Sequence, residues 1–495
     1  MRDKTKVVIA GGGTAGWLTA FSLHTRLGAV LDITLVESDD IGTVGVGEAT
    51  IPTMRNFHKL MGIDEQEFMA ATQATFKLGI QFDNWGKKND SYFHSFGEIG
   101  QRSWMAEFHE FWMEAQQHQF GESLEDYCLE LKAAKANKFC TQIGNKPVNF
   151  AYHLNATAYA GYLREKCEKA GVVREEGKIV HINNHANGNI ANLVLDNHKQ
   201  IEGDIFIDCT GFRGLLIGEH LGVGFEDWSD FLASDSAIAV QTESVEAPRP
   251  YTIARAHDAG WQWRIPLQTR TGNGIVYSSQ FLSDDKARDT LVSHLNGQTI
   301  NEPRQLRFTT GRRQKAWHKN CVAIGLSGGF LEPLESTSIH LITTAIVRLM
   351  KLFPSAEDSS YLEKQFNQET QLELETVRDF IILHYKLTKR DDSEFWRFYK
   401  DMPIPDSLQH RMEIFRTNGY VWPDDVALFR VDSWVQVMMG QGLTPQAHHF
   451  GTKVLKTEQL KQQLSSFRNM VDDAVNKMPE HADFVKQYCQ SSLVD

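Results

Sequence analysis

Six residues constrain this chain more than any others. GGGTAG, residues 11–16, follows a short apolar run and opens a helical pattern. It carries Gly11, Gly13 and Gly16, the spacing of a dinucleotide-binding turn. Each glycine has a physical task. Gly11 permits the tight turn, Gly13 lets the backbone approach a pyrophosphate, and Gly16 lets helix and strand pack closely. Thr14, Ala15 and Trp17 begin the helix, whose free N–H groups and positive dipole end favour phosphate. Lys6 to Ala10 reads as a first strand, Thr14 to Leu27 as the helix and Asp32 to Glu37 as a second strand. Glu37 stands 21 residues beyond Gly16 (37 minus 16), where a carboxylate accepts hydrogen bonds from ribose hydroxyls. The pattern predicts a β-α-β unit of Rossmann type that binds a dinucleotide.

A single motif of this kind at the N-terminus of a long chain with interleaved strands favours FAD over NAD. A second GxGxxG for a nicotinamide is absent, so no motif marks a site where this chain would reduce its own flavin. The chain has 495 residues, 41% hydrophobic, enough for a large core and several lobes. Its net charge of -12 argues against a nucleic-acid surface. No apolar run reaches membrane-spanning length, and Val7 to Ala10 reads as a strand rather than a signal peptide. Six cysteines, none in CxxC spacing, suit reduced thiols in the cytoplasm. His181 with His185, and His448 with His449, lack companions at metal spacing, so no metal site is expected.

The stretch TFKLGIQFDNW, residues 75–85, alternates Phe76, Leu78, Ile80 and Phe82. That reads as one strand with one buried face. Lys77 falls on the other face, and on this stretch alone it belongs to solvent. Strand-like runs separated by turns fill residues 150–325. From Ser338 the pattern turns helical until Pro354, and the rest is mainly helical. The expected division is 1–350, an FAD-binding region, and 351–495, a mainly helical substrate-binding region. Residues 380–434 hold eleven aromatics among fifty-five, about twice the chain's 11%. A helical core and a lid over a flat substrate explain this equally well.

Two further segments carry chemistry. In GWQWRIPL, residues 260–267, Trp261 and Trp263 share a strand face and Pro266 ends it. In GGFLEPLESTSIHL, residues 328–341, Gly328 and Gly329 read as a flexible approach. Ser336 and Thr337 suit an N-cap there, and the helix start can hold an anion beside Glu335.

Together these segments resemble the flavin-dependent halogenases, the tryptophan-halogenase family. The resemblance includes GGGTAGW at 11–17, VGVGEATIP at 44–52, TFKLGIQFDNW, HSFG at 94–97, WQWRIP, FLEPLEST, VRDFIILHY at 377–385 and SWVQVMMGQGLTP at 433–445. It implies an α/β fold of the flavin monooxygenase kind. It implies reduced FAD from a separate NAD(P)H-dependent flavin reductase, with O2 and a bromide or chloride ion as co-substrates. The hypohalous acid formed passes through a tunnel to a small aromatic substrate. Lys77 then matches the family lysine that guides it and Glu335 the family glutamate. Thr337 and Ser338 lie at the halide, and Ala49 and Gly325 join the cofactor site. His94 and Phe96 pack around the substrate ring, with Trp434 from the lid, and Trp261, Trp263 and Pro266 shield the flavin. A homodimer is a family habit.

One departure bears on substrate. Members acting on free tryptophan have a lid with adjacent tyrosines and a glutamate for the amino group. Here Tyr420 is followed by Val421, and only Asp424, Asp425 and Asp432 offer a carboxylate. An indole or phenol without charged ends suits the segment better, and the chain looks similar to indole-type members, some of which favour bromide. Two other functions stay open on sequence: an FAD-dependent aromatic monooxygenase, and a non-catalytic flavin-binding protein.

Overall fold

The computed structural model describes residues 4–42, 48–354, 359–423 and 427–490. The first strand is Thr5–Ala10, the helix Thr14–Leu27 and the second strand Leu31–Glu37. Each strand starts one residue earlier than its sequence pattern suggested. They belong to a six-stranded sheet ordered Val173–Glu176, Leu31–Glu37, Thr5–Ala10, Ile205–Asp208, Cys321–Ala323, Trp317–His318. The first five pair in parallel, and the last turns back as a hairpin. Parallel strands covered on both faces need apolar runs rather than alternation, which is why VVIA and IFI carry no polar break.

A second sheet of seven strands runs Arg304–Arg307, Ser236–Glu243, Arg270–Tyr277, Gly260–Pro266, Thr252–His257, Gly79–Asp83, Ser91–Ser95. A third, of three strands, holds Glu48–Ala49, Ala151–Leu154 and Thr75–Lys77. The stretch 75–85 is therefore not one strand. It leaves the small sheet after Lys77 and enters the large one at Gly79. Leu78 makes the crossing, donating its N–H to the Pro250 carbonyl at 2.7 Å. All of Thr75–Lys77 is buried, so the expectation of a wet face is overturned at Lys77. Alternation reports which residues share a face, but a second layer of protein can cover the polar face too.

After the helix Ser338–Lys351 come the helices Ser360–Lys386, Glu394–Asp401, Asp406–Asn418, Val431–Gly440, Thr457–Lys477 and His481–Cys489. They pack back on the sheets. Phe366, Val471 and Val485 share one apolar core with Val7 and Leu35, while Trp396 and Leu464 share another with Ile80 and Trp261. Much of the aromatic enrichment is helical core. Tyr385, Phe395, Trp396 and Tyr399 fill it without exposure, each adding roughly 1.5–3 kcal/mol of burial. Phe380, Phe429 and Trp434 belong to the same core, where Phe380 and Phe429 also meet His94. All six cysteines are free thiols. Among the described residues no helix is long and apolar enough to cross a membrane, and no three His, Cys, Asp or Glu side chains converge as a metal site would need.

Candidate active site

The glycine turn leaves room where a cofactor needs it. Gly11 has φ +108°, and a Cβ there would lie 2.3 Å from the Cys209 carbonyl oxygen. A Cβ on Gly16 would lie 1.8 Å from the Gly11 oxygen. Both positions exclude any side chain. At Gly13 a Cβ would meet nothing within 4 Å, so open space borders the helix start. That helix has no side-chain cap and no acidic residue in its first turn, which suits an anionic pyrophosphate. Glu37 closes the turn, with Oε2 facing Gly12 and Oε1 accepting from Arg174 Nε at 2.6 Å. Gly325, at φ +80°, lies close to Ala15, and Ala49 pairs with His153 across the small sheet. These residues fit FAD. The Trp17 indole is buried in the core, and its backbone N–H bonds the Gly13 carbonyl at the helix start. The glycine-rich segment VGVGEATIP is described only from Glu48 onward.

Lys77 is wholly enclosed. Its Nζ donates to Ser336 Oγ at 2.7 Å and to the Thr50 carbonyl at 3.2 Å, and stands 5.1 Å from the Phe96 ring centre. Burial lowers its pKa to about 7, opposed by the charge of Glu335. An amine so placed is partly neutral at physiological pH and so able to act as a nucleophile as well as a donor.

Ser336 reaches Lys77 because it adopts a left-handed conformation, φ 59° and ψ 36°. A serine held there stores strain of about 1–2 kcal/mol. Neither Ser336 nor Thr337 caps the following helix, as the sequence suggested; Thr337 occupies the N-cap position without a side-chain bond. Its hydroxyl is instead buried without a protein partner. With the orphan N–H groups of the helix beginning at Ser338, this donor suits a halide. The approach is not a loose loop either: Gly329–Phe330 pairs with Gly311–Arg313 as a strand.

Glu335 ends the short turn Pro333–Glu335 and is also wholly enclosed. Its Oε2 lies 2.8 Å from His94 Nδ1, and its Oε1 2.8 Å from His384 Nε2. Burial alone would raise its pKa, but the two histidines hold it at about 2. The chain of groups continues from His384 Nδ1 to the Tyr92 hydroxyl at 2.7 Å. His384 and Tyr92 were not singled out from sequence. Their signals were there: Phe380 and His384 stand one helical turn apart, and Tyr92 and His94 share a strand face.

The remaining expected residues fall into two groups. His94 and Phe96 lie 6.5 Å apart between ring centres. Phe380 stands 5.4 Å from His94, stacks on Phe429 at 3.7 Å and meets Trp434 edge-on at 4.9 Å. Trp261 and Trp263 are 6.1 Å apart, both buried in the Gly260–Pro266 strand. Pro266 accepts a hydrogen bond from Thr75 Oγ1 at 2.7 Å, which ties this strand to the one carrying Lys77. Asp432 is already engaged, accepting from the Ile99 N–H at 2.9 Å, and Asp424 and Asp425 lie outside the described residues. A cavity of about 610 Å³ lies elsewhere, between the Ser91–Ser95 strand and the helices Phe108–Gln117 and Val431–Gly440. Neither Lys77 nor Glu335 lines it, and the enclosed polar pair is the better chemical site.

A dinucleotide turn, a buried lysine and a buried glutamate between histidines are the parts of a dinucleotide-dependent enzyme with an enclosed polar site. The family model "Tryptophan halogenase" matches residues 6–457. The chain is 33% identical to tryptophan 7-halogenase RebH of Lentzea aerocolonigenes, over 97% of this chain and 98% of that protein. Among solved structures, Xcc4156, a flavin-dependent halogenase from Xanthomonas campestris, is 52% identical with a TM-score of 0.97, covering 99% of each chain. BrvH, a flavin-dependent halogenase from Brevundimonas sp. BAL3, is 43% identical with a TM-score of 0.94, covering 98% of this chain and 99% of that one. The chain belongs to the tryptophan halogenase family and is a flavin-dependent halogenase.

Proposed function

We propose that this enzyme transfers bromine or chlorine from hypohalous acid to an electron-rich aromatic ring of indole type that lacks charged ends. The observation that carries this is the enclosed Lys77, bonded to Ser336 next to the histidine-held carboxylate of Glu335. FAD, supplied reduced by a separate NAD(P)H-dependent flavin reductase, would furnish with O2 the oxidising equivalents that convert halide to hypohalous acid. The lone dinucleotide motif supports that division of labour. The Thr337 hydroxyl and the helix start at Ser338 hold the halide. Trp261, Trp263 and Pro266 keep the arene from the flavin.

Lys77 receives hypohalous acid through its Nζ and fixes the halogen's direction. In the enclosed space the oxidant neither diffuses away nor meets bulk water. The ring carbon forms its bond to halogen as the halogen–oxygen bond breaks, and the departing hydroxide takes a proton from the Lys77 ammonium and leaves as water. Glu335 takes the proton that the ring carbon then loses, and His94 and His384 keep the carboxylate oriented. His94, Phe96 and Trp434 flank the ring.

The substrate class follows from solvation. An amino acid's ammonium and carboxylate need fixed ionic partners in a dry pocket. Among the described residues of the 419–434 segment the one carboxylate, Asp432, is bound to backbone. The functional division we propose is 1–350 for cofactor, halide and tunnel, and 351–495 for the substrate side, in a cytoplasmic homodimer.

Aerobic reactions with FAD, a flavin reductase, NADH and indole, run with bromide and chloride in parallel, test this by product mass. A halogen isotope pattern is expected, with indole turned over faster than free tryptophan. A gain of one oxygen regardless of halide would instead make the enzyme a hydroxylase.

A further inference from the structure

The turn that ends in Glu335 carries a second buried glutamate, three residues earlier. Glu332 has no exposure. Its Oε1 accepts from the Tyr385 hydroxyl at 2.6 Å. Its Oε2 has no partner in the protein, and nor do two other enclosed polar atoms, Trp261 Nε1 and Ser234 Oγ. Burial raises the Glu332 carboxyl to about 7, and Tyr385, Ser234 and Trp261 beside it oppose that rise.

The placement has a second feature. Tyr385 and His384 are neighbours on the helix Ser360–Lys386. Tyr385 holds Glu332, and His384 faces Glu335 at 2.8 Å. One helix end therefore grips both ends of the turn. Tyr385 is itself fixed by stacking on Tyr399 at 4.0 Å, and the Tyr399 hydroxyl accepts the Ala233 N–H at 2.9 Å.

We propose that Glu332 is a positioning residue: with Tyr385 and Ser234 it sets the register of the Glu335 turn and the plane of the Trp261 indole. It touches neither oxidant nor arene. Loss of its carboxyl lets the turn slide against the helix, which separates Glu335 from His384, and lets Trp261 rotate where it shields the flavin. Only the turnover consequence rests on the halogenase function proposed above; the contact itself does not.

Two sets of measurements on the full-length FAD-loaded protein keep the levels apart. The first uses no turnover. Melting temperatures of Glu332→Gln, Trp261→Phe and the double variant are compared. The expected shifts are non-additive, as for groups sharing one polar site. Additive shifts would overturn the contact whatever the enzyme catalyses. The second follows indole halogenation and hydrogen peroxide release in Glu332→Leu and Glu332→Gln. Tyr385→Phe, which removes only the hydroxyl, serves if the leucine variant does not fold. Glu332→Leu or Tyr385→Phe is expected to lower kcat by about tenfold or more, with KM for indole held and peroxide released per NADH increased. Glu332→Gln, which keeps an acceptor, restores most of kcat. Unchanged kcat and peroxide release in the leucine and phenylalanine variants would show that Glu332 positions nothing the reaction needs.

Discussion

Lys77 and Glu335 answer to opposite electrostatic pressures. Both are fully buried, and burial disfavours both charges. Glu335 has two histidines at 2.8 Å and keeps its charge. Lys77 has neutral partners at hydrogen-bond distance and sinks to about 7. Its effect on stability has a definite sign. The unfolded chain binds the proton near 10.5, the folded chain near 7, so stability falls as pH drops from 10.5 towards 7 and levels off below. Lys77→Met is therefore expected to stabilise the protein at pH 7 by about 2–4 kcal/mol, with the gain shrinking towards pH 10.5. Denaturant melts across that range check this; a gain that does not change with pH would mean that the lysine is buried without strain. Nothing in TFKLGIQ revealed this environment, because periodicity carries no information about what covers the polar face.

The Thr75–Lys77 strand and the Gly260–Pro266 strand belong to different sheets, yet one hydroxyl joins them. Thr75 Oγ1 donates to the Pro266 carbonyl at 2.7 Å and lies 3.1 Å from His153 Nδ1. Thr75→Val keeps the shape but leaves these groups unsatisfied in a dry setting. A loss of about 1–3 kcal/mol is expected, read as a lower denaturant midpoint. An unchanged midpoint would remove this tie between the two sheets. The first helix and the second strand's end were legible in the sequence because glycine spacing and apolar runs are local signals. The left-handed Ser336 was not. Serine has no intrinsic preference for that conformation, and its reason, Lys77, lies 259 residues away in the chain. Nor was the break at Leu78, since Phe76, Leu78, Ile80 and Phe82 are all fully buried on either side of it.

The two cores each draw on both halves of the chain, so cofactor turn and substrate aromatics are set on one packed body. Glu335 meets His94 from the 91–95 strand and His384 from the C-terminal helices. This explains which part of the site sequence reasoning reached. Lys77, Glu335 and His94 stood out within their motifs; Glu332 and His384 also lie in motif segments, FLEPLEST and VRDFIILHY, but their partners, like those of Tyr92, become visible only when distant segments meet. It also sets apart damage at the cofactor turn from damage in the reaction chamber. Gly13→Val places a branched side chain in the open space beside the helix start, and is expected to abolish FAD binding while the protein still folds. Flavin titration checks it, and wild-type affinity would displace the pyrophosphate from this turn.

The most direct measurement pairs oxygen consumption with product in Lys77→Ala. The protein is loaded with FAD and given a flavin reductase, NADH, bromide and indole. If Lys77 delivers the halogen, the variant binds FAD and consumes oxygen as the wild type does, and bromoindole falls to the level of the enzyme-free control. Bromoindole formed at the wild-type rate would contradict that role and leave Lys77 a buried structural amine.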